Sequence, residues 1–235
     1  MLATCADREA TVDCGLLYEQ TRLEMATLFM QLDADQLGTT VPATPDWRVR
    51  DVLAHVVGIT SDLNRSRFDV TTPEAWTQRQ VDERRDATIA EIVVEWDHEA
   101  PTFEDGLRLF GYEMGSHYVA DLHAHLQDAR SALGRAPARD ELTVLVALDF
   151  FLGSLDEDLR GAGPGAVELR AGSETHVAGD PPVRATLSAD PFVILRALSA
   201  RRSRAQIRAL DWDGDVDAVL EHLARYPLPE HDLID

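Results

Sequence analysis

The chain has 235 residues, a formal net charge of −20 and a sequence pI of about 4.6. That charge repels polyanions and so excludes nucleic acid and anionic membrane surfaces as partners. All 22 basic residues are arginine, which excludes lysine Schiff-base chemistry and lysine-bearing phosphate loops and points to a GC-rich bacterial genome. The length suits one large domain or one and a half. No run approaches the ~20 apolar residues of a membrane span. Residues 2–14 mix charges with no apolar run, so no signal peptide is expected. Cys5 and Cys14 have no metal-ligand spacing and no third partner, which suits a reducing, cytoplasmic setting.

After a loose start, Val12 to Leu37 places apolar residues at three and four spacings and predicts one amphipathic helix. The stretch from Gly38 to Pro45 holds two prolines and reads as an extended linker. Asp46 is the predicted N-cap of a second helix, whose apolar stripe runs from Trp47 through Val52, Leu53 and Val56 to Ile59. His55 borders that stripe, and Trp47 reads as core or helix-entry packing. Thr71, Thr72 and Pro73 break the pattern, and Glu74 to Arg85 is a short polar helix or loop. A third long helix starts at Asp86 and runs towards Leu109, with Pro101 expected to kink or interrupt it. Ser116 to Leu133 is the fourth and Arg139 to Leu159 the fifth.

The texture changes at Arg160-Gly-Ala-Gly-Pro-Gly165, a turn-forming cluster that marks an expected domain boundary. Short strands are predicted at Ala166–Ala171, Thr175–Ala178 and Val183–Leu187, and helices at Asp190–Ala200 and Asp215–Tyr226. The expected organisation is therefore a mainly α protein. An up-and-down helical bundle fills residues 1–158, and a small α/β domain fills 159–235.

One helical face carries chemistry. Asp121 and His125 are four residues apart and lie one turn from each other on the fourth helix. A carboxylate and an imidazole at that spacing can share one divalent ion, and His55 on the second helix supplies a third donor. Two histidines and a carboxylate describe a metal site with open positions. His117, one turn before Asp121, is a rim residue that could substitute as a ligand. His123 points away from this face and reads as surface or packing.

Three segments resemble one known family. Thr44-Pro-Asp-Trp-Arg-Val-Arg-Asp-Val-Leu-Ala-His-Val-Val-Gly58 is similar to the second-helix signature of mycothiol-dependent maleylpyruvate isomerase relatives. Asp121-Leu-His-Ala-His-Leu-Gln-Asp-Ala-Arg-Ser-Ala-Leu-Gly134 resembles their Glu-x-x-x-His-x-x-Asp helix. Ala189 to Gln206, followed by Trp212-Asp-Gly-Asp215, resembles their C-terminal segment. The resemblance implies a DinB-like metal-binding four-helix bundle followed by a small α/β domain. It implies a divalent metal, usually zinc, on His55, Asp121 and His125, and mycothiol, the thiol of high-GC actinobacteria, as cosubstrate. It also matches Asp128 to the family aspartate, a candidate to orient an imidazole, while Arg201 could grip a carboxylate of thiol or substrate.

Two positions depart from the family pattern. Asp121 stands where relatives have glutamate and is shorter by one C–C bond of about 1.5 Å. Ala200, just before Arg201, stands where relatives commonly have glycine. The implied activity is that of a thiol transferase or isomerase acting on a small electrophile. A metal-dependent hydrolase and a non-catalytic metal-binding protein are the alternatives that the sequence leaves open.

Overall fold

The protein is described from a computed structural model covering residues 5–68 and 72–235. Thr71, the head of the expected Thr-Thr-Pro break, lies outside these residues, as does the start of the chain before Cys5. The first elements are α1 (Cys5–Thr11), α2 (Cys14–Phe29), α3 (Ala34–Leu37), β1 (Thr40–Val41), β2 (Thr44–Arg48) and α4 (Val49–Asn64). They continue with α5 (Pro73–Glu83), α6 (Ile89–Phe110), α7 (Tyr112–Ala132) and α8 (Glu141–Ala162). The remainder is β3 (Ala166–Ala171), β4 (Glu174–Ala178), β5 (Val183–Ala189), α9 (Pro191–Leu198), α10 (Arg204–Arg208) and β6 (Asp211–Gly214), then two single 3₁₀ turns. Among the described residues no helix is long and apolar enough to cross a membrane.

By their contacts the elements form two compact units. One is Thr11–Ala138; the other joins the N-terminal residues through Ala10 to Arg139–Ile234. The first unit holds the predicted four-helix bundle, in which α6 and α7 each pack on both α2 and α4. Met25, Phe29, Leu53, Ile92, Trp96, Leu122 and Leu126 are fully buried between them. Their spacing on each helix follows the 3.6-residue period read from the sequence.

Local chemistry sets the helix ends, not always where the sequence suggested. The single helix predicted over residues 12–37 stops at Phe29. Asp33 then starts α3, accepting from Gln36 N–H while the Gln36 side chain accepts from Asp33 N–H. Asp46 is not the cap of α4. Pro45 favours extended backbone, and Thr44–Arg48 pairs with Thr40–Val41 as a strand. The helix begins three residues later, where the Asp51 carboxylate accepts from Arg48 N–H at 2.8 Å. Pro101 does not interrupt α6. The carbonyl it leaves unpaired belongs to Asp97, an exposed residue whose backbone can be hydrated.

The second unit is built on a four-stranded sheet of order β4-β3-β5-β6, with β3 and β5 parallel and the outer pairs antiparallel. The three predicted strands are present, and β6 adds a fourth that had no apolar run to announce it. The helix α8 groups here, packed on α9 and β4, so by contacts the division falls at Ala138/Arg139 and not at 158/159. Its apolar face fitted a bundle equally well on paper, since periodicity reports that a face is buried and not what covers it. The predicted helix at Asp215–Tyr226 is replaced by the two 3₁₀ turns, Val216–Ala218 and Leu220–His222. A segment that short is marginal as an independent helix, and the turns already bury Val219, Leu220 and Leu223.

The expected loose start is also corrected. In α1 the Arg8 guanidinium is buried and donates to Asp149 of α8 at 2.8 and 2.7 Å and to Glu174 of β4 at 2.7 and 3.1 Å. Two bidentate ion pairs to residues far along the chain tie this helix down, which no local pattern could reveal.

The C-terminus of α9 places Ala200, where the resemblance led one to expect glycine, in a glycine-favouring conformation. Arg201 N–H reaches back to Arg196 O at 2.8 Å and Ala200 N–H to Ala197 O at 3.2 Å. These two bonds form a Schellman cap. Its left-handed position is Ala200, at φ 58°, where a Cβ costs about 1–2 kcal/mol. Glycine removes that strain but adds unfolded-chain entropy. Ala200→Gly should therefore raise stability by a net of about 0.5–1 kcal/mol. Denaturant unfolding should show a higher midpoint at unchanged slope.

Candidate metal centre

The crossing of α4 and α7 brings the predicted triad together. On α4, His55, Gly58 and Asp62 share one face at i, i+3 and i+7; on α7, Asp121 and His125 share another at i and i+4. One donor atom from each of His55, Asp121 and His125 lies within 4.8 Å of the other two. His125 Nε2 stands 3.6 Å from Asp121 Oδ1, and the two imidazole rings meet edge-to-face at 4.9 Å. Both histidines are buried, while the Asp121 side chain keeps 30% of its surface. Solvent therefore meets the cluster on the carboxylate side.

The donor set fits a divalent ion. Tetrahedral ligands at about 2.0–2.2 Å from zinc lie roughly 3.4 Å apart. The 3.6 Å Asp121–His125 separation is too long for a good hydrogen bond and close to that value. His125 Nδ1, the ring nitrogen that does not face Asp121, is buried and has no hydrogen-bond partner among the described residues, an unusual state for such an atom. The shorter Asp121 arm does not keep its carboxylate out of the cluster, because α7 carries it close enough to meet both imidazoles.

The electrostatics agree with a preformed donor set. Burial, and then the positive charge that His125 can carry, pull His55 down to about 4, so its imidazole is neutral at physiological pH. Asp121 is lowered to about 2. Burial alone would raise it, but the charges available on His125, His55 and His117 overcome that and hold it ionised.

Two further layers surround the triad. Trp47, read from sequence as core or helix-entry packing, is half-exposed on β2 just before α4, its ring 4.8 Å from that of His55 and 6.2 Å from that of His125. It shields one side of both imidazoles. Behind His55 lies Gln80 of α5, whose Oε1 is 2.8 Å from His55 Nδ1. The same amide donates from Nε2 to Asp62 at 3.0 Å. Gln80 was missed because α5 is so polar. The available signal was Gly58, where a Cβ would meet Gln80 Cβ at 2.4 Å. A glycine in mid-helix marks the close approach of another chain segment.

The other expected residues fall as follows. Asp128 is buried on α7, just under a turn past His125. His117 is outside the three-donor cluster and stacks on Tyr118 at 4.8 Å. His123 is a packing residue whose Nε2 meets Ala138 O at 3.0 Å. Arg201 belongs to the second unit, where its guanidinium donates to Ser199 O at 2.7 Å. Cys14 is buried against Gly115, and burial pushes its thiol up to about 11, so it is packing and not a nucleophile.

Residues 18–115 match the family model described as the mycothiol maleylpyruvate isomerase N-terminal domain. That stretch contains His55 and Gln80 and ends before Asp121. No curated protein sequence matches the chain. Among solved structures, a crystal structure of the mycothiol-dependent maleylpyruvate isomerase is similar at 13% identity and a TM-score of 0.51. A histidine-to-alanine variant of that enzyme is similar at 12% and 0.54. Each alignment covers 80% of this chain and 88% of the other. At such identity the likeness is one of fold.

Two measurements probe the cluster. Zinc retained after gel filtration should be lost in His55→Ala and His125→Ala and weakened in Asp121→Asn, with helical circular dichroism intact. Full retention in both histidine variants would rule out the triad. In metal-free protein, unfolded His55 takes up a proton below about 6.5, whereas folded His55 resists until about 4. The unfolded state thus binds more protons in that window, and stability should fall as pH drops through it. His55→Gln should flatten this slope, as read from denaturant midpoints between pH 7 and 4.

Proposed function

We propose, from the match of residues 18–115 to the mycothiol maleylpyruvate isomerase N-terminal domain, that this protein is a metal-dependent, mycothiol-using enzyme. The single observation that carries the reading is the convergence of His55, Asp121 and His125 at one point of the bundle. His55, His125 and Asp121 would hold a divalent ion, zinc by the nature of the donors. When bound, that ion supplies a Lewis-acid position at which a thiol, with an ordinary pKa of about 8.5, is favoured as thiolate at neutral pH.

The chain's own groups suit that task. Two neutral imidazoles and one carboxylate offset only one of the two charges of such an ion, so an anionic sulfur is attracted to the site. Trp47 covers the imidazoles on one side, while the partly exposed Asp121 leaves the approach for a small substrate. Asp128 is assigned the role of orienting an imidazole, and Arg201 that of gripping a carboxylate of thiol or substrate, as the resemblance suggests. The substrate class is a small electrophilic carbon compound. Addition of the thiol to a cis-alkene acid, rotation and elimination amount to isomerisation; addition without elimination is thiol transfer.

Turnover of such an acid by zinc-loaded protein, with and without mycothiol, tests the reading. Activity should require the thiol and vanish in His55→Ala. Arg201→Ala should raise KM more than it lowers kcat. Hydrolytic activity without any thiol would replace this reading with that of a metal-dependent hydrolase.

A further inference from the structure

The layer behind His55 has a directionality that the hydrogen-bond chemistry fixes. Asp62 is fully buried at the far end of the chain of contacts. Its carboxylate takes Arg79 at 3.0 Å and Gln80 Nε2 at 3.0 Å, with Arg67 at 3.4 Å. The Asp62 oxygen that accepts from the Arg79 guanidinium, with Arg67 beside the other oxygen, offers Gln80 only an acceptor. The Gln80 amide must therefore turn its NH₂ towards Asp62, which leaves Oε1, an acceptor, facing His55 at 2.8 Å. An acceptor there can be satisfied only by a proton on His55 Nδ1, so the remaining lone pair is on Nε2.

We propose that Gln80, oriented by Asp62, is a positioning residue that locks His55 in the Nδ1–H tautomer and presents its Nε2 lone pair to the cluster with Asp121 and His125. The role of Nε2 as a metal donor rests on the reading above; the tautomer lock stands on the hydrogen bonds alone. Gln80 is itself held hard against α4. It is fully buried, its Cβ sits where Gly58 leaves no side chain, and its carbonyl accepts from Arg84 at 3.0 Å. Arg50 of α4 donates to the carbonyls of Arg84, Arg85 and Ala87 at 2.8–3.3 Å and fastens the end of α5. An outer hydrogen bond of this kind fixes a ligand's ring orientation, and its loss typically costs 10–100-fold in metal affinity.

The test is two-bond proton–nitrogen correlation NMR on ¹⁵N-labelled, metal-free protein, with His55 assigned through His55→Gln, followed by zinc titration against a chelator. Wild-type His55 should be in the Nδ1–H form. In Gln80→Leu that form should give way to Nε2–H or to a mixture, and zinc affinity should drop about 10–100-fold. If Gln80→Leu does not fold, Asp62→Asn serves instead, because an amide there can donate and so frees Gln80 to flip and mix the tautomers. An Nε2–H wild type, or variants that keep both tautomer and zinc affinity, would overturn the proposal. A wild-type Nδ1–H form that is lost in the variants of a protein taking up no zinc upholds the lock and overturns only the metal reading beneath it.

Discussion

The centre depends on burying two imidazoles beside one ionised carboxylate where α4 crosses α7. Taking such groups out of water is expensive unless each finds a partner. His55 finds Gln80, and Asp121 keeps part of its surface in solvent and faces His125. His125 Nδ1 has no hydrogen-bond partner among the described residues. Leucine at this crossing would carry no such penalty, so these buried polar groups cost stability that an apolar core would keep.

That arrangement forces the next layer. His55 is buried with its inner nitrogen satisfied by Gln80, an acceptor that α5 and not α4 supplies. The chain does this by laying α5 across Gly58, so that an amide reaches the ring and passes its other end to Asp62. Arg79 and Arg67 then compensate the buried carboxylate from the rim. Each member of this sequence is needed by the one before it, and a half-satisfied polar network would be worse than an apolar one.

Asp121 has a side chain shorter than a glutamate's by one C–C bond of about 1.5 Å, and its Oδ1 lies within 3.6 Å of His125 Nε2 because α7 carries it there. Ala200 carries a different constraint. It keeps a backbone shape made for glycine and accepts local strain, with the Schellman hydrogen bonds of the cap intact.

The sequence by itself determined what local periodicity and helical spacing can carry. The four long helices of the bundle, the strands beginning with Ala166–Ala171, and the pairing of Asp121 with His125 on one face were all legible. His55 was legible as a candidate third member of that cluster, and its helix does bring it there. Tertiary structure decided everything that needs a partner distant in the chain: Arg8 meeting Asp149 and Glu174, α8 packing on β4, Trp47 reaching His125 as well as His55, and Gln80 arriving behind His55. A side chain's own neighbours in sequence report which face it occupies, but the identity of what covers that face is set only when non-adjacent elements pack.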